Sequence, residues 1–340
     1  MPDRARIQFL YTGGTLGMVG SPRGLEPGAD VRGEIAALLR DSGLDVSSGF
    51  SEFHRTIDSS NVTPADWQQM VDHLRRHRDE YDGFVVLHGT NTLAHSAAGV
   101  SYALTDFGRP VVFTGAQVPF GMAGSDAPGN VLGAVEAVIS GAFASVALFF
   151  DGVLLAGARA TKVSALDMRG FASPHAEPLE WRSGSVREEP DPLARPQGWK
   201  NPLPYRGHDI AVITAVPGMS AERFRAMTTP RPSAVIFRTY GAGEGPGEEE
   251  GLPEAVGELV SGGTPVVVVS QSLRARVDLG RYAAGEFLRR AGAIGAEDMT
   301  FEAVYTKLMF LLSQGVDGQH MEKWLLTDLA GEVSAPRPAR

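Results

Sequence analysis

The sequence predicts an α/β protein with two domains: a larger N-terminal domain built on a mostly parallel sheet flanked by helices, and a smaller C-terminal α/β domain. Short apolar runs alternate with longer amphipathic stretches, which is typical of chains in which strands and helices alternate. A segment rich in proline and charge breaks this alternation, which then resumes. We therefore divide the 340 residues into an N-terminal catalytic domain 1–186, a linker 187–208 and a C-terminal domain 209–340.

The apolar runs predict the strands, and the amphipathic stretches predict the helices. In the N-terminal half we expect strands at 7–11, 84–87, 110–113 and 147–150, and helices from Thr63, over 92–105 and over 127–140. Thr63 suits an N-cap, and Pro64 suits a first helical position. In the C-terminal half the same patterns predict strands at 210–213, 234–237 and 266–269, and helices at 301–312 and 322–329.

The charge balance argues against nucleic acid as the main partner. The formal net charge is −9 and no basic run interrupts it, whereas phosphate binding needs a clustered positive surface. No apolar stretch approaches the roughly 18 residues of a membrane span, and the charged N-terminus does not resemble a signal peptide. We therefore expect a cytoplasmic protein that does not bind membranes.

The residue patterns predict no cofactor. The chain has no cysteine, which excludes disulfides, thiolate metal ligands and thiol catalysis. His73 and His77 have a spacing that suits a metal ion, but they lie among arginines without an acidic third ligand, so we expect a solvated helix face. The glycine patterns of nucleotide-binding loops are absent. We expect neither a metal ion nor a nucleotide.

Lysine is scarce in this chain, and Lys162 is therefore informative. Of 31 lysine and arginine residues only four are lysine, at positions 162, 200, 307 and 323. A lysine can lose its proton, whereas a guanidinium stays charged, so a retained lysine suggests a site that needs this property. Lys162 follows the apolar run 147–150, near a strand end where α/β active-site groups are usually found. The alternative is an ordinary solvated loop lysine.

Three turns rich in hydroxyl groups predict the rest of the site. Residues 12–15 (Thr-Gly-Gly-Thr) follow the first strand, residues 88–92 (His-Gly-Thr-Asn-Thr) follow a later one, and residues 58–61 (Asp-Ser-Ser-Asn) precede a helix. In a parallel sheet such turns converge at the carboxyl edge. A threonine hydroxyl is a weak nucleophile until another group takes its proton. We therefore expect a relay in which Lys162 bonds Thr90, and a mobile lid at residues 18–28.

At these motifs the chain resembles the bacterial-type L-asparaginases, specifically their cytoplasmic (type I) branch. The resemblance covers nearly the whole length. Besides the three turns it rests on residues 114–117 (Thr-Gly-Ala-Gln), 160–162 (Ala-Thr-Lys), 171–174 (Phe-Ala-Ser-Pro) and 306–308 (Thr-Lys-Leu). It implies an asparaginase-like two-domain fold and a homodimer or homotetramer whose sites are completed by a neighbouring subunit.

The resemblance also implies roles for individual residues. Thr15 becomes the nucleophile that attacks a side-chain amide, and Thr90 with Lys162 becomes the second catalytic pair. Ser59 would help to hold the substrate's α-carboxylate, and backbone N–H groups near Thr90 and Asn91 would stabilise the oxyanion. The full set of residues that it implies for substrate binding is Gly14, Asp58, Ser59, Ser60, Gly89 and Asn91.

The chain departs from the family pattern at four positions. Asn91 replaces an aspartate that binds the substrate's ammonium, and Leu25 replaces a lid tyrosine whose role only Tyr11 or a neighbouring subunit could fill. Asn61 stands where the family usually has aspartate, and Glu244 stands where relatives commonly have asparagine. We assign Leu25 and Glu244 to the lid and to a possible subunit interface. The amide of Asn91 carries no negative charge, so binding of a free amino acid should weaken.

Three hypotheses remain open at this point. The first is an amidohydrolase whose substrate preference has shifted to an asparagine derivative with an uncharged α-nitrogen. The second is an ordinary L-asparaginase that releases aspartate and ammonia. The third is a catalytically silent homologue that binds an amino acid or a partner.

Overall fold

The described residues of the first of two units form a seven-stranded sheet. The computed structural model describes residues 4–22, 24–176, 179–180 and 198–334, and the chain divides into the units Met1–Asn201 and Pro202–Arg340. The strands of the first unit are β1 (Ala5–Tyr11), β2 (Met18–Ser21), β3 (Gly24–Pro27), β4 (Val46–Glu52), β5 (Gly83–Leu87), β6 (Val111–Thr114), β7 (Val146–Phe150), β8 (Val153–Ala156), β9 (Thr161–Lys162), β10 (Phe171–Ala172) and β11 (Leu179–Glu180). Its helices are α1 (Val31–Ser42), α2 (Pro64–Arg76), α3 (Leu93–Ala103) and α4 (Ala127–Ile139), with 3₁₀ turns at Thr15–Gly17, Ser59–Asn61 and Gly157–Arg159.

The large sheet is mostly parallel, which confirms the predicted fold class. Its strand order is β11-β8-β7-β6-β5-β1-β4. The strands from β4 through β1, β5 and β6 to β7 pair in parallel, whereas β8 and β11 are antiparallel to their neighbours. Every residue of β5 is buried, as expected for a central strand that is covered on both faces. The carboxyl ends of β4, β1, β5 and β6 therefore lie side by side.

Helices α1 and α4 cover one face of this sheet. Val31 and Ile35 of α1 share a core cluster with Val131 of α4 and with the strand residues Phe9 and Val85. Helix α3 contacts β6 and β7, and α2 packs on α3. This apolar packing fixes the strand ends from which the three predicted turns leave the sheet.

Helix α2 begins where the sequence predicted. Pro64 is its first residue and Thr63 is its N-cap. The backbone N–H of Thr63 donates to the Asp66 carboxylate at 2.8 Å, and the Thr63 hydroxyl donates to it at 2.6 Å. These bonds fix the start of the helix directly after the Ser59–Asn61 turn.

The second unit carries a smaller parallel sheet. Its strands are β12 (Ile210–Thr214), β13 (Ala234–Thr239), β14 (Val266–Ser270) and β15 (Ile294–Gly295), paired in that order and in parallel. Its helices are α5 (Ala221–Met227), α6 (Leu252–Ser261), α7 (Glu286–Arg290), α8 (Phe301–Ser313) and α9 (Gly318–Leu326), with a 3₁₀ turn at Ala283–Gly285. The second α/β domain is therefore confirmed. No helix in the described ranges is long and apolar enough to cross a membrane.

Two predicted elements differ from the structure. The last helix was expected at 322–329, but α9 begins at Gly318 because the Asp317 carboxylate accepts the backbone N–H of His320 at 3.0 Å. Residues 18–28 were predicted to form a mobile lid, without any strand being assigned to them, and they contain the antiparallel hairpin β2–β3. Its strands pair four residues on each side, although their glycines and prolines give no alternating apolar pattern.

The predicted linker falls partly outside the described residues. Residues 187–197 are not among them, and residues 198–208 contain no helix or strand. The backbone N–H of Trp199 donates to the Thr105 hydroxyl at 2.8 Å, which ties Trp199 to the first unit. The boundaries at 186 and 208 stay predictions.

Lys307 is a buried structural residue of the second unit. Its ammonium donates to the carbonyl oxygens of Leu325 and Thr327 at 2.6 Å each, and to the carboxylate of Glu332. Glu332 is also fully buried and accepts backbone N–H groups from Leu329 at 3.0 Å and Ala330 at 2.7 Å. This ion pair ties the segment after α9 to α8.

Glu332→Ala should lower the free energy of unfolding by about 3 kcal/mol, because it leaves the Lys307 ammonium buried without its counter-charge. Urea denaturation measures the change. Glu258→Ala, which removes an exposed partner of Arg225, is the control and should have an effect below about 1 kcal/mol. Equal losses in the two variants would contradict a stabilising role for the buried pair.

Candidate active site

The turn after β1 packs directly against the turn after β5. Thr12 is held in place by its backbone N–H and its hydroxyl, which both donate to the carbonyl of Leu87 at 3.0 Å. Gly13 and Gly14 have φ angles of 126° and 98°, which side chains rarely tolerate. A Cβ on Gly14 would lie 2.5 Å from the backbone nitrogen of Gly89. Only glycine therefore allows the two turns to approach so closely.

Lys162 joins the turn after β5, as the relay hypothesis requires. Its Nζ donates to Thr90 Oγ1 at 2.9 Å and to Asn91 Oδ1 at 3.2 Å. Strand β9, which carries Lys162, pairs with β10, so the lysine comes from an ordered hairpin. Thr90 is buried, Lys162 is half-buried and Asn91 is exposed. The geometry thus brings together the three residues that the motifs singled out.

The contacts of Asn91 fix the orientation of its amide group. A lysine ammonium only donates, so the atom that faces Lys162 is the amide oxygen. The amide nitrogen Nδ2 then donates to the hydroxyl of Ser60 at 2.9 Å. Asn91 therefore links the lysine to the turn at residues 58–61, and it presents an N–H group where an aspartate would present a second carboxylate oxygen.

The turn at residues 58–61 lies beside Gly89. A Cβ on Gly89 would lie 2.5 Å from the Ser59 hydroxyl, and the hydroxyl of Thr92 donates to the Ser59 carbonyl at 2.7 Å. Ser59 is buried, and its own hydroxyl makes no hydrogen bond within the part of the chain that the structure describes. The carboxylate of Asp58 is exposed and accepts the backbone N–H of Ser60 at 2.9 Å, so it holds the turn in shape.

Lys162 has no carboxylate partner among the described residues, and its burial lowers the pKa of its ammonium below the ordinary value. An aspartate beside it would favour the charged form, whereas the amide of Asn91 brings no charge. The result is a lysine whose neutral, proton-accepting form is more accessible than that of a solvated lysine. This is the property for which the scarcity of lysine singled it out.

Thr15 lies in the 3₁₀ turn after Gly14, and no hydrogen bond joins its hydroxyl to a side chain in the described ranges. Tyr11 was one of the two possible substitutes for a lid tyrosine, and its surroundings do not favour proton transfer. Its phenol packs against Gly17, where it leaves no room for a Cβ, and burial together with Glu52 raises its pKa to about 12. A phenol with so high a pKa is a poor base near neutral pH.

The structure places Leu25 in the first unit and Glu244 in the second. Leu25 lies on the hairpin β2–β3 opposite Gly20, and its aliphatic side chain, 45% exposed, cannot transfer a proton. Glu244 belongs to the second unit, where its backbone carbonyl accepts the N–H of Tyr240 at 2.9 Å. The Oε2 atom of Glu244 is buried without a hydrogen-bond partner in the described residues.

The sequence analysis did not identify Asp126, which supports the turn after β6. The Asp126 carboxylate accepts backbone N–H groups from Gln117 at 2.9 Å and Val118 at 2.9 Å, which fixes the turn after β6. The Gln117 amide lies 3.5 Å from the carbonyl of Ser164, in the loop after Lys162. In the sequence, Asp126 is recognisable only as a residue that could cap a helix. That position predicts a local contact with the helix and does not predict that Asp126 fixes the turn after β6.

Restoring a carboxylate at position 91 should raise the pKa of Lys162, because a nearby negative charge favours the ammonium. Reductive ¹³C-methylation followed by an NMR titration of wild type and Asn91→Asp measures the shift, with the exposed Lys200 as an internal reference. Identical titrations of Lys162 in the two proteins would contradict the electrostatic account of this site.

Comparisons with known proteins identify the family. The family model "Asparaginase, N-terminal" matches residues 6–192, and the model "Glutaminase/Asparaginase C-terminal domain" matches residues 209–325. The L-asparaginase 1 of Escherichia coli (strain K12) is 37% identical over 336 residues, which cover 98% of this chain and 99% of that protein. The 60 kDa lysophospholipase of Homo sapiens is 32% identical, over 98% of this chain and 62% of its own length.

Solved structures agree with this assignment. L-asparaginase I from Vibrio cholerae matches with a TM-score of 0.86 at 33% identity, covering 98% of this chain and 100% of its own. The thermostable L-asparaginase from Thermococcus kodakarensis matches with a TM-score of 0.84 at 31% identity, covering 97% and 100%. The two domains, the paired threonine turns and these relatives together establish that the chain belongs to the asparaginase family of amidohydrolases.

Proposed function

We propose that the protein hydrolyses the side-chain amide of asparagine or of an asparagine derivative through a threonine acyl-enzyme, with its preference shifted by Asn91 and Leu25. The observation that carries this proposal is the contact of Lys162 with Thr90 and Asn91, without a carboxylate partner among the residues that the structure describes. The proposal includes a cytoplasmic homodimer or homotetramer, as the family resemblance implies.

Thr15 is the proposed nucleophile. Its hydroxyl attacks the amide carbon, the C–N bond breaks, and ammonia leaves with the transferred proton. Water then hydrolyses the Thr15 ester and releases the acid. The close approach of Gly14 and Gly89 supports this role, because it sets the turn of Thr15 beside the turn of Thr90.

Lys162 is the proposed base, acting through Thr90. The neutral amine can accept a proton from the Thr90 hydroxyl, which in turn can accept one from the nucleophile. Its burial and its lack of a carboxylate partner in the described residues support this assignment, since both make the neutral form more accessible. The aspartate of the family pattern would favour the ammonium instead.

The amide of Asn91 is the proposed determinant of substrate preference. A charge-assisted hydrogen bond to an α-ammonium is roughly twice as strong as a neutral one. With an amide at this position the site loses that bond to free asparagine. A substrate whose α-nitrogen is acylated carries no charge there, so it has no charge-assisted hydrogen bond to lose.

An ordinary L-asparaginase is the second candidate. The identity to the L-asparaginase 1 of Escherichia coli favours it, because that similarity runs through almost the whole of both proteins. In this case Asn91 and Leu25 would be tolerated substitutions.

Ammonia release from a panel of amides tests the proposal. The panel contains L-asparagine, L-glutamine, D-asparagine, α-N-acetyl-asparagine and a peptide with an internal asparagine, with Thr15→Ala as the control. We expect release that depends on Thr15 and is faster from the blocked substrates. Release mainly from free L-asparagine would favour the ordinary enzyme, and no release from any substrate would favour a silent binding protein.

Asn91→Asp should raise the ratio of kcat/KM for free L-asparagine to kcat/KM for α-N-acetyl-asparagine about tenfold, because a charge-assisted bond to the α-ammonium adds about 1.4 kcal/mol. The accompanying change in the protonation of Lys162 affects both substrates alike and cancels in this ratio. Asn61→Asp is a matched control: it adds the same charge at an exposed position in the neighbouring turn. We expect no comparable gain from it. Equal effects of the two variants would mean that overall charge, and not the contact at position 91, sets the preference.

A further inference from the structure

A chain of buried side chains supports the turn that carries Thr90. The indole Nε1 of Trp67, on α2, lies 3.0 Å from the hydroxyl of Ser96, on α3. That hydroxyl lies 2.9 Å from Nε2 of His88, and the other ring nitrogen, Nδ1, lies 2.8 Å from the carbonyl oxygen of Gly89. Trp67, Ser96 and His88 are all less than 5% exposed. The chain thus runs from a helix to the backbone of the candidate active site.

The direction of each hydrogen bond in this series follows from its two ends together with the neutral state of the His88 ring. An indole N–H can only donate and a carbonyl oxygen can only accept. Ser96 therefore accepts from Trp67 and donates to His88 Nε2, and His88 Nδ1–H donates to Gly89. A protonated ring would instead donate from Nε2 to Ser96. The buried ring is neutral near pH 7, since desolvation lowers the pKa of His88 to about 4.

Holding the carbonyl of Gly89 also fixes the N–H of Thr90. Both groups belong to one planar trans peptide, so they point in opposite directions. The carbonyl faces the ring of His88, and the N–H of Thr90 therefore points away from it. In the described residues this N–H has no hydrogen-bond partner. Gly89 cannot be replaced by a larger residue, because a Cβ would meet the Ser59 hydroxyl.

We propose that Trp67, Ser96 and His88 are positioning residues, which aim the N–H of Thr90 at the oxyanion that forms when the substrate amide is attacked. This inference rests on the proposed function. None of the three residues touches the substrate. Their contribution is the fixed direction of one donor, which is most useful when the carbonyl oxygen gains charge in the transition state.

Two substitutions of His88 separate this role from simple packing. His88→Asn keeps an N–H at the position of Nδ1 and can still donate to Gly89. His88→Gln moves its amide to the position of Nε2 and leaves the Gly89 carbonyl without its donor. We expect kcat to fall about 30-fold or more in His88→Gln and clearly less in His88→Asn, with KM changed by less than about threefold in both, since loss of a transition-state interaction acts on kcat.

Ser96→Ala tests the central residue of the hydrogen-bonded series from Trp67 to His88, against a matched control. We expect it to lower kcat about tenfold, because the ring of His88 loses the partner that fixes its tautomer. Ser101→Ala removes another buried serine of α3, whose hydroxyl donates to the carbonyl of Ala97 at 2.7 Å. This control should leave kcat near the wild-type value. Equal losses in Ser96→Ala and Ser101→Ala, or in His88→Asn and His88→Gln, would overturn the inference.

A ring-tautomer measurement and a crystal structure test the inference without any turnover. ¹⁵N NMR of the imidazole at pH 7 should give a neutral ring with its proton on Nδ1, and the crystal structure of His88→Gln should have a rotated Gly89–Thr90 peptide. A proton on Nε2, or an unrotated peptide, would overturn the inference. Wild-type protein that hydrolyses no amide but has this tautomer and this rotation would count against the proposed function and still support the positioning role.

Discussion

The candidate active site depends on the contact of the Lys162 amine with Thr90 and Asn91. It joins three separate parts of the chain: the hairpin after β8, the turn after β5 and, through Asn91, the hydroxyl of Ser60. Parallel pairing of β4, β1, β5 and β6 brings the remaining turns to the same edge of the sheet. Because the side chain of Asn91 is an uncharged amide, this contact gives the Lys162 ammonium no counter-charge, and its neutral form is easier to reach.

The fold could be read from the sequence wherever one physical signal dominated. Buried parallel strands must be apolar throughout, so β5 and β14 were predicted within a residue or so of their bounds. The apolar pattern does not predict an element whose position depends on a polar or a local contact. Strand β4 is largely exposed or half-buried and was not predicted, and α9 begins a turn early because Asp317 caps it. The hairpin β2–β3 is stabilised by backbone pairing, which leaves no apolar pattern.

The site could be predicted only as far as its residues carry obvious chemistry. The scarcity of lysine singled out Lys162, but the same scarcity applies to Lys307, which is buried against Glu332 and has a structural contact. A rare residue therefore indicates a constrained position and not which constraint acts. Ser96 and Trp67 were missed because a serine or a tryptophan within a helix normally indicates packing. Their link to His88 exists only after the chain has folded.

The pH dependence of selectivity tests most directly the claim that the site no longer favours an α-ammonium. The quantity to measure is the ratio of kcat/KM for α-N-acetyl-asparagine to kcat/KM for free L-asparagine. The protonation of Lys162 changes kcat/KM for both substrates by the same factor, which cancels in the ratio. The ratio therefore reports only the charge on the α-nitrogen of the substrate. The account predicts a ratio above one that falls as pH rises through the pKa of the α-amino group of free L-asparagine. A ratio below one at every pH would contradict it.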